Sequence, residues 1–302
     1  MTAVPVLIIT GYLGAGKTAF LNHLLGLPDI ATKSIALIIN EFGSLSVDSG
    51  LVRAGGYSKF EINKGSLFCV CTRIEFVTVL REIANDVRPE LVIIEATGIT
   101  ETRDIESFLD EKTVENGFEI KANVCIVDAF NFTKVAAFLK AVTKQVEWAD
   151  GLVINKVDLV EDSDVGKLME VLKHINPSAK QTAVSYGKVS MEFIDGLDHT
   201  RRDGNSIENP PEDIIAVSFE TEKTVERKKF YETLSSLAQR VLRLKGYVDF
   251  GEGPHYFEAV YDRLYEKPEI PGPSPKTAFT IIAYRISKEK LVEIVQEAFH
   301  SG

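Results

Sequence analysis

The stretch VPVLIITGYLGAGKTAFLNHLL, Val4 to Leu25, joins a continuous β-branched run to a segment of helical period through a glycine-rich loop. Within it Gly11 to Thr18, GYLGAGKT, satisfies G-x-x-x-x-G-K-[ST] with a strand before and a helix after, the context that gives this pattern its meaning. Gly11, Gly14 and Gly16 let the backbone turn its amides, that of Ala15 among them, toward an anion. The helix N-terminus adds a favourable dipole. Lys17 is expected on the β- and γ-phosphates of a nucleotide, and Thr18 presents a hydroxyl to Mg²⁺. The bland alternative is a glycine-rich turn that binds nothing, and the strand-to-helix context argues against it.

Outward from this loop the same alternation repeats. SIALIIN, ELVIIE, NVCIVDA and GLVINK read as strands, with longer segments of helical period between them. Their apolar runs are continuous rather than alternating, which means strands buried on both faces by crossover helices. The expected fold class is therefore α/β, a doubly wound, mostly parallel P-loop NTPase sheet. Asn131 to Ala149 reads as one helix, with Asn131 as N-cap and Phe132, Val135, Phe138 and Leu139 at core-facing spacing. The segment DHTRRDGNSIENPPED, Asp198 to Asp213, has almost no apolar side chains and marks a linker. Beyond it come the strand-like IIAVSFETE, a helix from about Val225 to Val241, extended segments around KGYVDF and HYFEAVYDRL, then strand AFTIIAYRI and helix SKEKLVEIVQEAFH. The expected organisation is an N-terminal domain over residues 1–198, a linker over 199–213 and a smaller α+β domain over 214–302.

Which nucleotide is read at the end of the GLVI strand, where Asn155 to Asp158 spell NKVD. A carboxylate there, Asp158, can accept two hydrogen bonds from the N1 and N2 edge of guanine, a donor pair that adenine lacks. The stem of Lys156 can lie along the base, and Asn155 can bridge base-side backbone and loop. Between the two motifs, ELVIIEATG ends a buried strand in Glu95, expected to help hold Mg²⁺ or orient the attacking water, and Gly98 lets the backbone approach the γ-phosphate. GTP and GDP are the expected nucleotides. Lys17, Glu95 and Glu41 are the candidate catalytic groups, and the absence of an evident water-positioning glutamine implies slow turnover.

The bulk numbers exclude several classes. A net charge of -10 and pI near 5.2 disfavour nucleic acid and anionic lipid as partners. No stretch approaches the ~20 apolar residues of a membrane span, and the start MTAVPVLIIT lacks a basic n-region, so a cytoplasmic location is expected. Three cysteines cannot build a disulfide framework.

These residues resemble the CobW family of P-loop GTPases, whose relatives include nickel-insertion GTPases. The resemblance is carried by GYLGAGKTAFLNHLL, by IINEFGSLSVDSGLV from Ile38 to Val52, by VIIEATGI, VCIVDAFNF, WADGLVINKVDLV and HINPSAK, and by VLRLKGYV in the smaller domain. It implies a GTPase that hydrolyses GTP slowly and couples nucleotide state to delivery of a metal or metal cofactor to a client. The expected partner is a client metalloprotein or cofactor-dependent enzyme; oligomeric state is not specified, a dimer being one alternative. It also implies that NEFG, Asn40 to Gly43, belongs to a switch, with Glu41 near the metal path.

One motif departs from the family. Where G-C-x-C-C is typical, the chain has GSLFCVC, leaving Cys69 and Cys71. Zn²⁺ or Co²⁺ favours thiolates, and Cys69, Cys71 and Glu41 are the candidate transition-metal ligands, completed by water or the client. The competing reading alternates Phe68 and Val70 to one side and the two thiols to the other as packing, while Cys125 is assigned to the core. A chaperone or activase that has lost the metal site, and a small-molecule kinase, are the other function classes weighed.

Overall fold

The computed structural model describes residues 3–40, 57–62, 70–96, 102–110, 117–136, 139–201, 214–238, 240–260, 263–268 and 277–297. They fall in two compact units, the first reaching Arg201 and the second beginning at Ile214.

In the first unit β1 (Val4–Gly11) is followed by α1 (Lys17–Leu25), α2 (Pro28–Ala31), β2 (Ile35–Asn40), β3 (Ser58–Ile62) and α3 (Val70–Glu82). Then come β4 (Leu91–Glu95), α4 (Thr102–Leu109), β5 (Phe118–Asp128), α5 (Phe132–Ala136), α6 (Lys140–Glu147), β6 (Gly151–Asn155), α7 (Asp162–Ile175), β7 (Lys180–Ala183) and α8 (Met191–Asp195). The strands form one seven-stranded sheet in the order β3-β2-β4-β1-β5-β6-β7. Every pairing in it is parallel.

The apolar runs explain why. In β1, Leu7 and Ile9 point to a core with Phe20, Leu21 and Leu24 of α1, while Val6 and Ile8 point to a second core with Phe76 and Leu80 of α3 and Ile105 and Phe108 of α4. A strand that must fill both faces cannot alternate with polar residues. The register aligns the strand ends: Ile9 and Ile39 each lie beside Glu95, Asn40 beside Ile62, and Asp128 beside Asn155. Gly11, Asn40, Ile62, Glu95 and Asn155 therefore all stand at the carboxyl edge of the sheet, where open α/β sheets bind ligands.

The second unit contains β8 (Ile214–Thr221), α9 (Arg227–Ser236), β9 (Val241–Asp249), β10 (Pro254–Val260), β11 (Arg263–Pro268), β12 (Thr277–Tyr284) and α10 (Lys288–Glu297). Its five strands pair antiparallel in the order β11-β10-β9-β12-β8. Phe230 and Leu237 from the α9 segment and Leu291 and Val295 of α10 pack with Phe257, Phe279 and Ile281 of the sheet. Among the described residues no helix is long and apolar enough to cross a membrane.

Three local expectations are corrected. Asn131 to Ala149 is two helices, because Leu139 leaves the helical region (φ -113, ψ 99) and caps α6 instead of continuing α5. Phe132, Thr133 and Val135 are weak helix formers, so packing outweighs propensity there. Asn131 does stand just before α5, its carbonyl accepting the Val135 N–H at 3.1 Å, and Asp128 fixes the approach to it: Asp128 Oδ1 accepts the backbone N–H groups of Phe130 (2.9 Å) and Asn131 (3.1 Å). Val225 is not helical, since its N–H donates to the Asp249 carbonyl at 2.8 Å, and Val241 opens β9. HYFEAVYDRL is the two arms of a hairpin, with Val260 paired to Arg263.

Candidate functional site

The phosphate loop is shaped by its glycines. Gly11 has φ 131 and Gly16 φ 103, conformations closed to most side chains, and a Cβ would strike the Ile126 backbone in one case and the Asn155 carboxamide in the other. Ala15 donates its N–H to the Tyr12 carbonyl at 3.1 Å, closing the turn, and Gly16 is the N-cap of α1. The first turn of α1 holds no acidic residue, so its dipole meets an anion unopposed. Lys17 folds back over the loop, its Nζ donating to the carbonyls of Gly11 (2.7 Å) and Tyr12 (3.3 Å). The ammonium is thus buried in the curve of the loop. Beside it Thr18 Oγ1 donates to Glu95 Oε1 at 3.3 Å, joining the two oxygen donors expected for Mg²⁺ although they lie on different elements.

The base-side loops are braced on this one. The buried Asn155 side chain donates from Nδ2 to the Ala15 carbonyl and accepts at Oδ1 from the Gly187 N–H, both at 2.9 Å. It is a brace between three segments. Lys156 sits in the left-handed region (φ 65) with Nζ 2.8 Å from Asp128 Oδ2. Its amine is fixed at one end, which leaves the aliphatic stem along the rim. Asp158 is exposed on the short turn Val157–Leu159, its carboxylate open to solvent-borne donors. After β7, Tyr186 also takes positive φ (57) and is 68% exposed, and Gly187 presses directly on the Phe20 backbone.

Sequence reasoning missed Asp128 and the Ser185–Gly187 turn. An acid at a strand end carries no motif, although VDA at the close of β5 mirrors the other functional strand ends. SYG after the short strand β7 was a turn signal of the usual kind.

With this geometry established, two family profiles match the chain. One, described as "CobW/HypB/UreG, nucleotide-binding domain", covers residues 5–183. The chain belongs to the CobW/HypB/UreG family. It is accordingly a P-loop GTPase, and residues 214–299 match "Cobalamin synthesis protein cobW C-terminal domain". Among similar proteins, the zinc chaperone YjiA of Escherichia coli K12 is 24% identical over 286 residues, spanning 88% of each chain. The zinc-regulated GTPase metalloprotein activator 1 of Dictyostelium discoideum is 25% identical over 215 residues, 59% of this chain and 45% of that one. Among solved structures, Zn(II)-bound YjiA GTPase from E. coli aligns over 99% of both chains with 20% identity and a TM-score of 0.49.

For this member of the CobW/HypB/UreG family the cysteine motif is only partly described. Cys71 lies in the first turn of α3, so Val70 and Cys71 are helical and the strand-like alternation of FCVC fails there. Glu41, Cys69 and Gly98 lie outside the described residues. Among the described residues no group of three or more His, Cys, Asp or Glu side chains is arranged to hold a metal ion. Cys125 is buried behind the phosphate loop, and burial pushes its thiol up to about 12, opposed by a hydrogen bond from Thr10 and by the charge of Lys17. It is a packed thiol, not a ligand.

Proposed function

We propose that this chain is a GTP-hydrolysing metallochaperone that carries Zn²⁺ to a client metalloprotein and changes its grip on the metal with nucleotide state. The observation that carries the proposal is the register at the carboxyl edge of the sheet. β2 and β3 end side by side, Asn40 against Ile62, and β2 runs beside β4 with Ile39 against Glu95. The chain that continues into Glu41 and the chain that continues toward Cys69 and Cys71 therefore leave the sheet from adjacent strands, next to the Thr18–Glu95 pair. A γ-phosphate held there would bias both segments, which is how phosphate-sensing switches work.

Lys17 would neutralise the transferred phosphoryl group, and Asp158 would read guanine. Thr18 and Glu95 offer oxygen donors only, a set that suits a hard cation, and they would hold Mg²⁺; when bound, the ion supplies charge neutralisation between the phosphates. The names of the relatives, zinc chaperones and a zinc-regulated activator, support zinc as the cargo. Soft thiolates at Cys69 and Cys71, with Glu41, would take a borderline metal in preference to Mg²⁺.

The test is a competitive Zn²⁺ titration of the reduced protein in GTP-analogue, GDP and nucleotide-free forms, beside the Cys69→Ser/Cys71→Ser variant. Tight binding that depends on both thiols and differs at least tenfold between GTP-analogue and GDP forms is expected, a coupling of about 1.4 kcal/mol. Equal weak binding by wild type and variant in every state would sink the metal reading and leave a GTP-dependent client chaperone or activase.

A further inference from the structure

At the opposite edge of the sheet from the phosphate loop, three titratable side chains are buried together. His199 Nδ1 lies 2.9 Å from Asp150 Oδ2, and its Nε2 faces Glu106 Oε1 at 3.6 Å. All three side chains are at least nine-tenths buried, exposed by 9%, 2% and 9% for His199, Asp150 and Glu106. Nε2 makes no hydrogen bond in this arrangement. Asp150 is anchored: its Oδ2 also takes the Asn123 N–H at 2.8 Å, and Asn123 in turn accepts the Thr10 hydroxyl and donates to the Trp148 carbonyl. Its other oxygen accepts the Thr200 N–H at 3.3 Å, and Arg201 pairs with Asp110, the residue after α4. Lys121 donates to the Leu197 and Asp195 carbonyls on the same side.

These contacts fasten the last described residues of the first unit, ahead of the stretch that leads to the second. We infer that Glu106, His199 and Asp150 form a proton-dependent clasp on the root of the inter-unit segment. With Nδ1–H donated to Asp150, the gap between Nε2 and Oε1 closes only if the Glu106 carboxyl carries a proton to donate across it. Losing that proton leaves two carboxylates and a neutral imidazole sharing a dry site, and Arg201, already engaged by Asp110, is the nearest compensating cation. Glu106 behaves accordingly: burial raises its carboxyl above the usual range, His199 and Arg201 pull it back down, and Asp150 and Asp110 push it up. A carboxyl raised in the folded state contributes stability below its unfolded value and loses it as pH rises through the folded value. The clasp is therefore closed toward acid and opens toward base, and the mobile partner is the His199 segment, because Asp150 is held from three sides.

Arg201 and Arg202 make the segment its own reporter, since trypsin cuts after them. The full chain is digested across about pH 6 to 9, with rates divided by those of a peptide spanning residues 196–208 at the same pH. For the wild type the normalised rate is expected to climb by up to about tenfold per pH unit, the signature of one linked proton. Glu106→Gln keeps a carboxamide that can donate to a neutral Nε2 or accept from a protonated one, so its rate is expected to stay low and flat. Asp110→Asn is expected to raise the rate at every pH while keeping the wild-type slope. His199→Gln leaves the buried Glu106 carboxyl and removes the imidazole that pulls it down, so its slope is expected to persist with the rise moved to higher pH; thermal melting establishes that each variant is folded. A flat wild-type profile, or a Glu106→Gln profile with the wild-type slope, would overturn the inference. Nucleotide and metal binding do not enter the readout, so the clasp stands or falls independently of the chaperone assignment.

Discussion

Replacing Lys17 by alanine is expected to lower kcat/KM for GTP by at least about a hundredfold while leaving the fold intact. The size follows from what the side chain does. A single fixed donor aimed at developing charge is worth about 10²–10³ in rate when removed. The phosphate loop supplies most of its other donors from backbone amides, so Lys17 is the mobile full charge in the site. Its Nζ now rests on the Gly11 and Tyr12 carbonyls, two neutral acceptors that a phosphate oxygen can outbid. Losing it exposes no apolar surface of consequence, because the loop conformation is held by Ala15–Tyr12, by the positive-φ glycines and by the Asn155 brace. Phosphate release by Lys17→Ala, with circular dichroism as the folding control, checks this; turnover near the wild-type value would mean that the loop does not carry the reacting phosphate.

A second loop variant separates shape from charge. Asn155→Ala removes both carboxamide bonds, to the Ala15 carbonyl and from the Gly187 N–H, inside a buried site. Each buried group left unpaired costs about 1–3 kcal/mol. The expected result is a melting temperature several degrees lower and weaker nucleotide binding, with GTP and GDP affected alike because both carboxamide bonds go to loop backbone that either nucleotide would use. Thermal melting and titration with a fluorescent guanine nucleotide read both; selective loss of GTP alone would contradict a bracing role.

How much of this was legible in the sequence depended on how locally each feature is encoded. The phosphate loop and the strands declared themselves, since glycine spacing and two-faced apolar runs are properties of a few consecutive residues. Glu95 was legible as a strand-end acid, yet its meeting with Thr18 is a tertiary fact. Asp128 was invisible because its partner, Lys156, comes 28 residues later, just past the end of the neighbouring strand. The same holds for His199, which reads as one polar residue in a linker and is in fact buried against Asp150 and Glu106. The break at Leu139 and the hairpin within HYFEAVYDRL were missed for a related reason: helical period and β-propensity survive a turn, so neither pattern says where the chain reverses.

The discriminating experiment on the base is Asp158→Asn. A carboxylate accepts from both N1–H and the 2-amino group of guanine, whereas an amide oriented to accept one of them turns an N–H toward the other. That clash is repulsive as well as a lost bond, so the affinity for GTP should fall about a hundredfold or more, in line with the discrimination of bidentate base contacts. Xanthine carries an oxygen where guanine carries the 2-amino group, and the carboxamide introduced by the substitution would donate to it; xanthosine triphosphate should then bind the variant better than GTP does, reversing the wild-type order. The structure supports a clean exchange. Asp158 is exposed on its turn, so the substitution strands no buried partner, while the adjacent Lys156 side chain is anchored on Asp128 and the Val157 N–H donates to the Val184 carbonyl at 3.4 Å, which keeps the loop in position. Competition between the two triphosphates for a fluorescent nucleotide gives both affinities in one series. If the variant keeps GTP at wild-type affinity, guanine is recognised elsewhere on the rim, and the Ser185–Gly187 turn, with Tyr186 exposed at its tip and Gly187 braced on the same Asn155 side chain, becomes the segment to vary next.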